Sequence, residues 1–329
     1  MSGQPGAIAV TGATGFVGGA LVRHLAAAGA SPVAVVRDGK GIPRRGLPGE
    51  DVPVESRTIA AWSRAELARA FAGVRAVVHA ASIVHRRGLP AAEYVRFNVD
   101  GTRALVEAAR DAGVAQVVFV SSVKVYGEEP EGVIDEASPT GASAPYATTK
   151  LDAERLVLEG APNPSVLRLS PVYGRGDKGN VRTVIRSIRR RVFFLPGDGT
   201  TQKSLVHVST VCSVAHRVLD LERTGVFVVA DRHAPSMREL ADVIARALGR
   251  RPPRSVPAPV LFAVARAGDA ALAAARRGPR DLAGLVKKSM LPTIFSPAKA
   301  ERELGVDCHV DLDQTIRDEI SWLEESGQL

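Results

Sequence analysis

A glycine-rich stretch near the start of the chain constrains the fold more than any other feature. An apolar run at 7–11 leads into a turn with glycine at positions 12, 15 and 18, and apolar residues at helical spacing follow. This order predicts a strand, a tight loop and a helix whose first turn presents unpaired N–H groups to an anion. We therefore predict a dinucleotide pyrophosphate site. An ordinary glycine-rich β–α turn is the alternative, because the spacing differs from G-x-G-x-x-G.

Apolar runs alternate with helical patterns through the first half of the chain. Strands that are apolar throughout, with helices between them, indicate a parallel sheet covered on both faces. We predict an α/β fold: a Rossmann-type doubly wound sheet over 1–170, and a mainly helical substrate lobe over 171–329 whose strand near 226–230 returns to the sheet. Predicted strands lie at 7–11, 32–36, 52–59, 76–80, 116–120 and 165–169, and predicted helices at 63–72 (with a Ser63/Glu66 capping box), 93–112, 145–159, 181–190, 211–221 and 237–248.

Composition is that of an ordinary globular protein, with 45% apolar and 24% charged residues. A net charge of +8 admits nucleic acid, membranes or anionic substrates as partners. The basic residues are scattered, and the densest run, at 186–191, lacks interleaved aromatics. The most apolar stretch, 256–275, contains Arg266 and Asp269 and is too broken to span a bilayer. We expect a cytoplasmic protein with no nucleic-acid and no membrane partner, and no metal site.

The second predicted strand ends in Arg37-Asp38, about 20 residues after the glycines. An acid at this position binds the ribose hydroxyls of NAD, whereas an arginine accommodates the 2′-phosphate of NADP. Arg37 comes first and is followed by further basic residues at 40, 44 and 45. The order favours NADP(H), with NAD(H) as the alternative.

Tyr146 and Lys150 begin a predicted helix and share one face, because they are four residues apart. A lysine ammonium beside a phenol lowers the pKa of the phenol from about 10, as proton transfer near neutral pH requires. The preceding strand ends in Ser121-Ser122, and ligands bind at the carboxyl ends of parallel strands. We expect Ser122 to hydrogen-bond a reacting oxygen held near Tyr146. The alternative is an exposed helix face beside a polar strand end.

Six motifs follow one another over nearly the whole chain. They are Thr11-Gly12-x-x-Gly15-x-x-Gly18, the strand 77–81, Asn98-Val99-x-Gly101-Thr102, Ser121-Ser122-x-x-Val125-Tyr126-Gly127, Tyr146-x-x-x-Lys150 and Leu167-Arg168-x-x-x-Val172-Tyr173-Gly174. In this order they resemble the extended short-chain dehydrogenase/reductases, the NAD-dependent epimerase/dehydratase group that acts mainly on nucleotide sugars. Within it the chain is most similar to 4-ketoreductases and 4-epimerases.

The resemblance implies a role for each matched residue. Tyr146 is the acid/base, Lys150 binds the nicotinamide ribose and tunes Tyr146, and Ser122 polarises the reacting oxygen. With Arg37 added, the implied cofactor-binding residues are Thr11, Gly12, Thr14, Gly15, Phe16, Val17, Gly18, Ala80, Ala81, Asn98, Tyr146 and Lys150. With the loop at 82–90 added, the substrate-binding residues are Ser82, His85, Ser122, Lys124, Tyr146, Asn180 and Lys203. Lys203 stands where many members carry arginine, and its point charge is a weaker diphosphate ligand.

Departures from the family pattern narrow the predicted reaction. Val123 and Lys124 replace the acidic pair of the dehydratases, and Pro171 replaces an asparagine of galactose-type epimerases. We predict an NADP(H)-dependent ketoreductase of a nucleotide-activated sugar that acts as a homodimer. The alternatives are an NAD-dependent nucleotide-sugar 4-epimerase, a reductase of a non-sugar ketone, and a non-catalytic redox-sensing or RNA-binding member of the fold.

Overall fold

A seven-stranded parallel sheet forms the centre of the molecule. The computed structural model describes residues 6–37, 54–84, 88–177, 179–274 and 281–329. The strands are β1 Ala7–Thr11, β2 Pro32–Arg37, β3 Glu55–Ile59, β4 Val74–His79, β5 Gln116–Ser122, β6 Val133–Ile134, β7 Pro164–Leu169, β8 Val172–Tyr173, β9 Leu195–Pro196, β10 Val206–His207, β11 Gly225–Val229, β12 Ser255–Val256 and β13 Ile294–Phe295. The sheet order is β11-β7-β5-β4-β1-β2-β3, which contains the 3-2-1-4-5 core of a doubly wound fold.

Helices cover both faces of this sheet and form most of the chain after Pro171. They are α1 Phe16–Ala27, α2 Arg64–Ala70, α3 Ala91–Tyr94, α4 Gly101–Asp111, α5 Pro145–Gly160, α6 Asn180–Arg189, α7 Val208–Asp220, α8 Met237–Ala247, α9 Ala258–Ala274, α10 Leu282–Met290, α11 Ala298–Leu304 and α12 Leu312–Glu325. A 3₁₀ turn, Val123–Tyr126, follows β5 directly. In the described ranges no helix is long and apolar enough to cross a membrane.

Two hydrophobic cores lie on opposite faces of the sheet, as continuous apolar strands predict. Ile8 and Val10 of β1 pack into one core, while Ala9 packs into the other. Successive strand side chains point to opposite faces, so a strand buried on both faces must be apolar at every position. The predicted parallel, doubly covered sheet is confirmed.

A third core joins helices after Pro171, with Ile185, Ile244 and Ile320 contributed by α6, α8 and α12. One strand from this half enters the main sheet, since β11 pairs in parallel with β7. The prediction of a strand near 226–230 corresponds to β11. This half therefore packs against the sheet rather than standing apart from it.

Two local predictions differ from the structure. The single helix predicted over 93–112 is interrupted by a π-helical segment, Val95–Asp100, between α3 and α4. Ser63 does cap α2 by accepting from the Glu66 N–H. The Glu66 carboxylate accepts from the Ala60 N–H instead of returning to Ser63, so the predicted capping box is wrong in its second half.

Candidate active site

The glycine loop is shaped by close backbone approaches. Gly12 has φ of +72°, and a Cβ there would lie 2.7 Å from the backbone between Ala80 and Ala81. A Cβ at Gly18 would lie 2.3 Å from the Gly12 carbonyl oxygen. Residues with larger side chains are therefore excluded at both positions, which explains the glycine spacing.

Helix α1 begins at Phe16 with the features of an anion site. Its N-cap is Gly15, no side chain caps its first turn, and that turn contains no acidic residue. The N–H groups of Phe16, Val17 and Gly18 open the helix, with Thr14 just before it. A cofactor diphosphate fits here, because N–H donors and the positive dipole end face one point without a competing carboxylate.

A buried histidine ties the loop to the neighbouring strand. The Thr11 hydroxyl lies 2.8 Å from His79 Nδ1, and His79 Nε2 lies 3.2 Å from the Thr102 hydroxyl. Burial first, and then the charge of Lys150, lower the pKa of His79 to about 3. The imidazole is neutral and links two hydroxyl groups. The Ala81 N–H also donates to Thr11, so the ends of β1 and β4 are held together.

Asn98 lies in the π-helical segment and joins three parts of the predicted site. Its side chain accepts from the Ser82 hydroxyl and the Ile83 N–H, and donates to the Ile83 carbonyl and the Thr149 hydroxyl. A π-helical turn widens the helix locally and often occurs at functional sites. Asn98 is buried and sits next to the helix that carries Tyr146 and Lys150.

Tyr146 and Ser122 meet at the carboxyl end of β5. The Tyr146 phenol is buried and hydrogen-bonded to the Ser122 hydroxyl. Burial raises the pKa of Tyr146 to about 12, and the bond to Ser122 only partly opposes this. The prediction that Lys150 lowers the pKa of Tyr146 is therefore wrong, because burial removes water from the phenolate and this effect dominates.

The Lys150 ammonium points to the sheet. It donates to the Val120 carbonyl at 2.7 Å and lies 4.3 Å above the Phe119 ring. Burial lowers the pKa of Lys150 to about 7, although the Glu154 carboxylate opposes that shift. Lys150 thus holds the helix against β5 and retains donor capacity, since an ammonium has three N–H groups.

A buried ion pair behind Tyr146 and Lys150 was missed by sequence reasoning. Glu154 accepts from both Nε and a terminal nitrogen of Arg168, the shortest distance being 2.7 Å, and also accepts from the Ser121 hydroxyl at 2.5 Å. Arg168 also donates to the Tyr126 hydroxyl at 2.9 Å. The available signal was Glu154 itself, which continues the four-residue spacing from Tyr146 through Lys150.

Other residues predicted to contact cofactor or substrate lie at or just after the ends of neighbouring strands. Arg37 is exposed at the end of β2, at the same sheet edge as Thr11. Ser82 follows β4, and Lys124 lies in the 3₁₀ turn with its ammonium 3.4 Å from Glu128. His85 and the residues at 38–53 lie outside the described residues, as does Lys178.

The two residues predicted to bind a diphosphate after Pro171 lie in different surroundings, and only Lys203 is close to another predicted substrate contact, Lys124. Asn180 is exposed at the start of α6. The Lys203 ammonium donates to the carbonyls of Lys288 and Leu291, at 2.7 and 2.5 Å, and lies 3.4 Å from the Thr293 hydroxyl. Each of its three N–H groups therefore has an acceptor at the end of α10. Burial and the charge of Lys124 lower the pKa of Lys203.

Comparison with known proteins identifies the class. A model of the NAD dependent epimerase/dehydratase family matches residues 8–230, from β1 to the end of β11. The chain belongs to this family. It is therefore an NAD(P)-dependent enzyme.

Individual relatives carry different activities. The chain is 30% identical to UDP-glucose 4-epimerase of Vibrio cholerae, over 78% of this chain and 80% of the relative. It is 27% identical to ceramide reductase of Caulobacter vibrioides, over 98% and 96%. The solved structure of MoeE5 in complex with UDP-glucose and NAD is 28% identical, with a TM-score of 0.74 over 98% of this chain and 99% of MoeE5. The predicted family and fold are confirmed.

Proposed function

We propose that this enzyme reduces a keto group on a nucleotide-activated sugar with NADPH. The contact of Tyr146 with Ser122 at the end of β5, beside Lys150, carries the proposal. It provides a proton donor and a second hydroxyl for one carbonyl oxygen. The glycine loop on the adjacent strand provides a place for the cofactor diphosphate.

Ser122, Tyr146 and Lys150 have separate roles in the proposed reduction. When bound, the nicotinamide supplies hydride to the carbonyl carbon. Ser122 donates a hydrogen bond to the carbonyl oxygen as negative charge develops there, and Tyr146 transfers its proton to that oxygen. The phenol of Tyr146, with a pKa of about 12, is protonated at neutral pH and so has a proton to donate. Lys150 would hold the ribose of the cofactor, and its bond to the Val120 carbonyl fixes the first turns of α5 against β5.

The preference for NADPH rests on Arg37. This exposed guanidinium lies at the carboxyl end of β2, where a 2′-phosphate would accept a charge-assisted hydrogen bond. Among the described residues Arg37 has no ion-pair partner within 4 Å. MoeE5 was solved with NAD bound, so the fold also accommodates that cofactor, and the proposal for NADPH rests on Arg37.

The test is a paired assay on purified enzyme. One arm follows oxidation of NADPH and NADH at 340 nm with nucleotide-linked 4-keto sugars. The other follows interconversion of UDP-glucose and UDP-galactose with no cofactor added, together with release of bound NAD on denaturation. NADPH oxidation supports the reductase, whereas cofactor-independent interconversion overturns it in favour of the 4-epimerase.

Reduction of a non-sugar ketone is a second candidate, favoured by one observation. Nucleotide recognition would require the Lys203 ammonium to be directed to a diphosphate. The ammonium instead donates to backbone carbonyls. The near full-length similarity to a ceramide reductase agrees with this. Including a long-chain keto lipid in the NADPH assay separates the two, because each candidate predicts turnover of one substrate and not of the other.

A further inference from the structure

We propose that the hairpin formed by α9 and α10, with an arginine cluster beside its start, docks on an anionic lipid bilayer. The arginine cluster consists of Arg191, Arg250, Arg251 and Arg254. This interaction surface goes beyond the proposed reaction. It also replaces the expectation, drawn from composition, that the protein has no membrane partner.

Helix α9 is apolar yet lies largely at the surface. Val260 and Val264, one turn apart, are 50% and 64% exposed. Ala265 alone is buried among residues 258–273, and the same range contains only two charged residues, Arg266 and Asp269. A helix of this composition is ordinarily buried. Its outer face is therefore a candidate for contact with another apolar phase.

Helix α10 completes the hairpin and adds to the same kind of surface. It has no buried residue, and Leu285 is 63% exposed. The two helices pack mainly against each other. The Asp269 carboxylate caps the start of α10, accepting from the N–H groups of Leu282 and Ala283 at 2.9 and 3.2 Å. The hairpin is thus a connected unit, and no described element covers its exposed apolar residues.

The arginine cluster lies on the segment that leads into α9 and on the end of α6. Its four arginines line a cleft of about 720 Å³ together with Phe193 and Phe194. Within the described ranges none of the four forms an ion pair. Val192 and Phe194 are 62% and 49% exposed beside them. Uncompensated positive charge and exposed apolar side chains therefore occur together.

This combination matches a bilayer better than other partners. Interfacial helices bury an apolar face at the headgroup level while arginines attract anionic lipids. A symmetric contact with a second copy would bring two arginine clusters toward each other. Nucleic acid offers phosphates for the cluster but no apolar phase for Val260, Val264 and Leu285. An anionic bilayer satisfies both parts of the surface.

The docking surface adjoins the candidate active site. Lys288, at the end of α10, donates to Glu128 at 2.7 Å, and Glu128 lies 3.4 Å from Lys124 in the turn after Ser122. Lys287 similarly pairs with Glu129. These lysines are already compensated, so the attraction to anionic lipid is assigned to the arginines.

The experiment measures binding of the full-length protein to vesicles by co-sedimentation. Vesicles of phosphatidylcholine are compared with vesicles that also contain phosphatidylglycerol. We expect binding to depend on phosphatidylglycerol and to weaken at high salt. The double substitutions Val264→Gln/Leu285→Gln and Arg251→Glu/Arg254→Glu are each expected to lower the partition coefficient roughly tenfold or more.

Two matched variants change other surfaces. Leu221→Gln removes an exposed leucine at the end of α7, and Arg302→Glu reverses one positive charge on α11. Both are expected to bind vesicles like the unchanged protein. An equal loss of vesicle binding in these variants would overturn the proposal, as would binding that does not depend on phosphatidylglycerol. So would a lipid-free change of oligomeric state in the α9–α10 variants, which indicates a second copy, or tighter binding to single-stranded RNA than to vesicles.

Discussion

The carboxyl edge of the main sheet and the segment after Pro171 differ in how they place their predicted site residues and the groups next to them. At the sheet edge, Lys150, Glu154 and Arg168 are buried, and each has a hydrogen-bond or ion-pair partner within the protein. After Pro171, Asn180 is exposed, and Lys203 is bound to backbone carbonyls at the end of α10. The side chains of the first region are therefore fixed in position by the protein itself.

This contrast separates the reaction from the substrate. Buried, hydrogen-bonded groups hold their positions, and we propose that the reaction takes place at the sheet edge. The later segment has exposed groups and a hairpin that contacts the turn after Ser122. We propose that this segment determines substrate choice, since relatives in the same family carry different activities.

The largest expected effect comes from removing the phenol at the sheet edge. Tyr146→Phe deletes the proposed proton donor, and turnover is expected to fall about 10²- to 10⁴-fold. Binding of NADPH, measured by fluorescence titration, is expected to stay close to that of the unchanged enzyme. Tyr173→Phe, which removes a buried hydroxyl bonded to Thr315 after Pro171, is the matched control and is expected to retain turnover. Near-normal turnover in Tyr146→Phe would refute the assignment.

The buried ion pair provides the next test. Arg168→Met leaves the Glu154 carboxylate buried without its partner, and the free energy of unfolding is expected to fall by about 3–5 kcal/mol. Arg246→Met breaks the exposed pair with Asp313 on α12 and is expected to cost about 0–1 kcal/mol. Urea denaturation measures both. The double substitution Glu154→Leu/Arg168→Met is expected to recover most of the loss; no recovery would mean that the pair is not the cause.

A buried carboxyl after Pro171 predicts a pH effect. Burial and the nearby Asp177 carboxylate raise the pKa of Glu319 to about 8. The native state thus holds a proton that the unfolded chain releases above its ordinary pKa near 4.5, so this contribution to stability is lost as pH rises from about 4.5 to about 8. Glu319→Gln is expected to reduce the loss of stability between pH 5 and pH 9 by roughly 1–3 kcal/mol. The free energy of unfolding of both proteins is measured by urea denaturation across that range. An equal loss of stability with pH in both proteins would contradict the prediction.

The smallest expected effect concerns cofactor choice. Arg37→Gln removes the proposed 2′-phosphate contact, and the ratio of kcat/KM for NADPH to that for NADH is expected to fall roughly tenfold. Arg57→Gln on the adjacent strand β3 is the control, since Arg57 donates to the carbonyls of Ala70 and Ala72. An unchanged ratio in Arg37→Gln would remove the basis for proposing NADPH.

Much of the sheet could be predicted because its signals are local. Continuous apolar runs and a glycine turn indicate buried parallel strands, and both cores confirm this. Tyr146 and Lys150 were identified from a four-residue spacing, which the helix α5 preserves. The state of Tyr146 was not predictable, because its pKa depends on burial by residues distant in sequence.

The π-helical turn at Asn98 and the engagement of Lys203 illustrate the remaining limit. Asn98 contacts Ser82 and Thr149, and Lys203 contacts the end of α10, in each case across long stretches of chain. A motif records which residue occurs at a position but not which distant carbonyl or hydroxyl will reach it. Those partners are selected when the helices pack.

By itself the sequence determined the family, the doubly covered parallel sheet and the glycine loop, because short-range spacing and the pattern of apolar residues indicate each of them. Only the tertiary structure decided that Glu154 and Arg168 lie behind Lys150, and that α9 and α10 leave an apolar face beside uncompensated arginines. The sequence of the stretch at 256–275 is apolar and interrupted by charged residues, whether the helix it forms is buried or exposed. Whether such a helix is buried or exposed depends on what packs against it, and residues far away in sequence settle that.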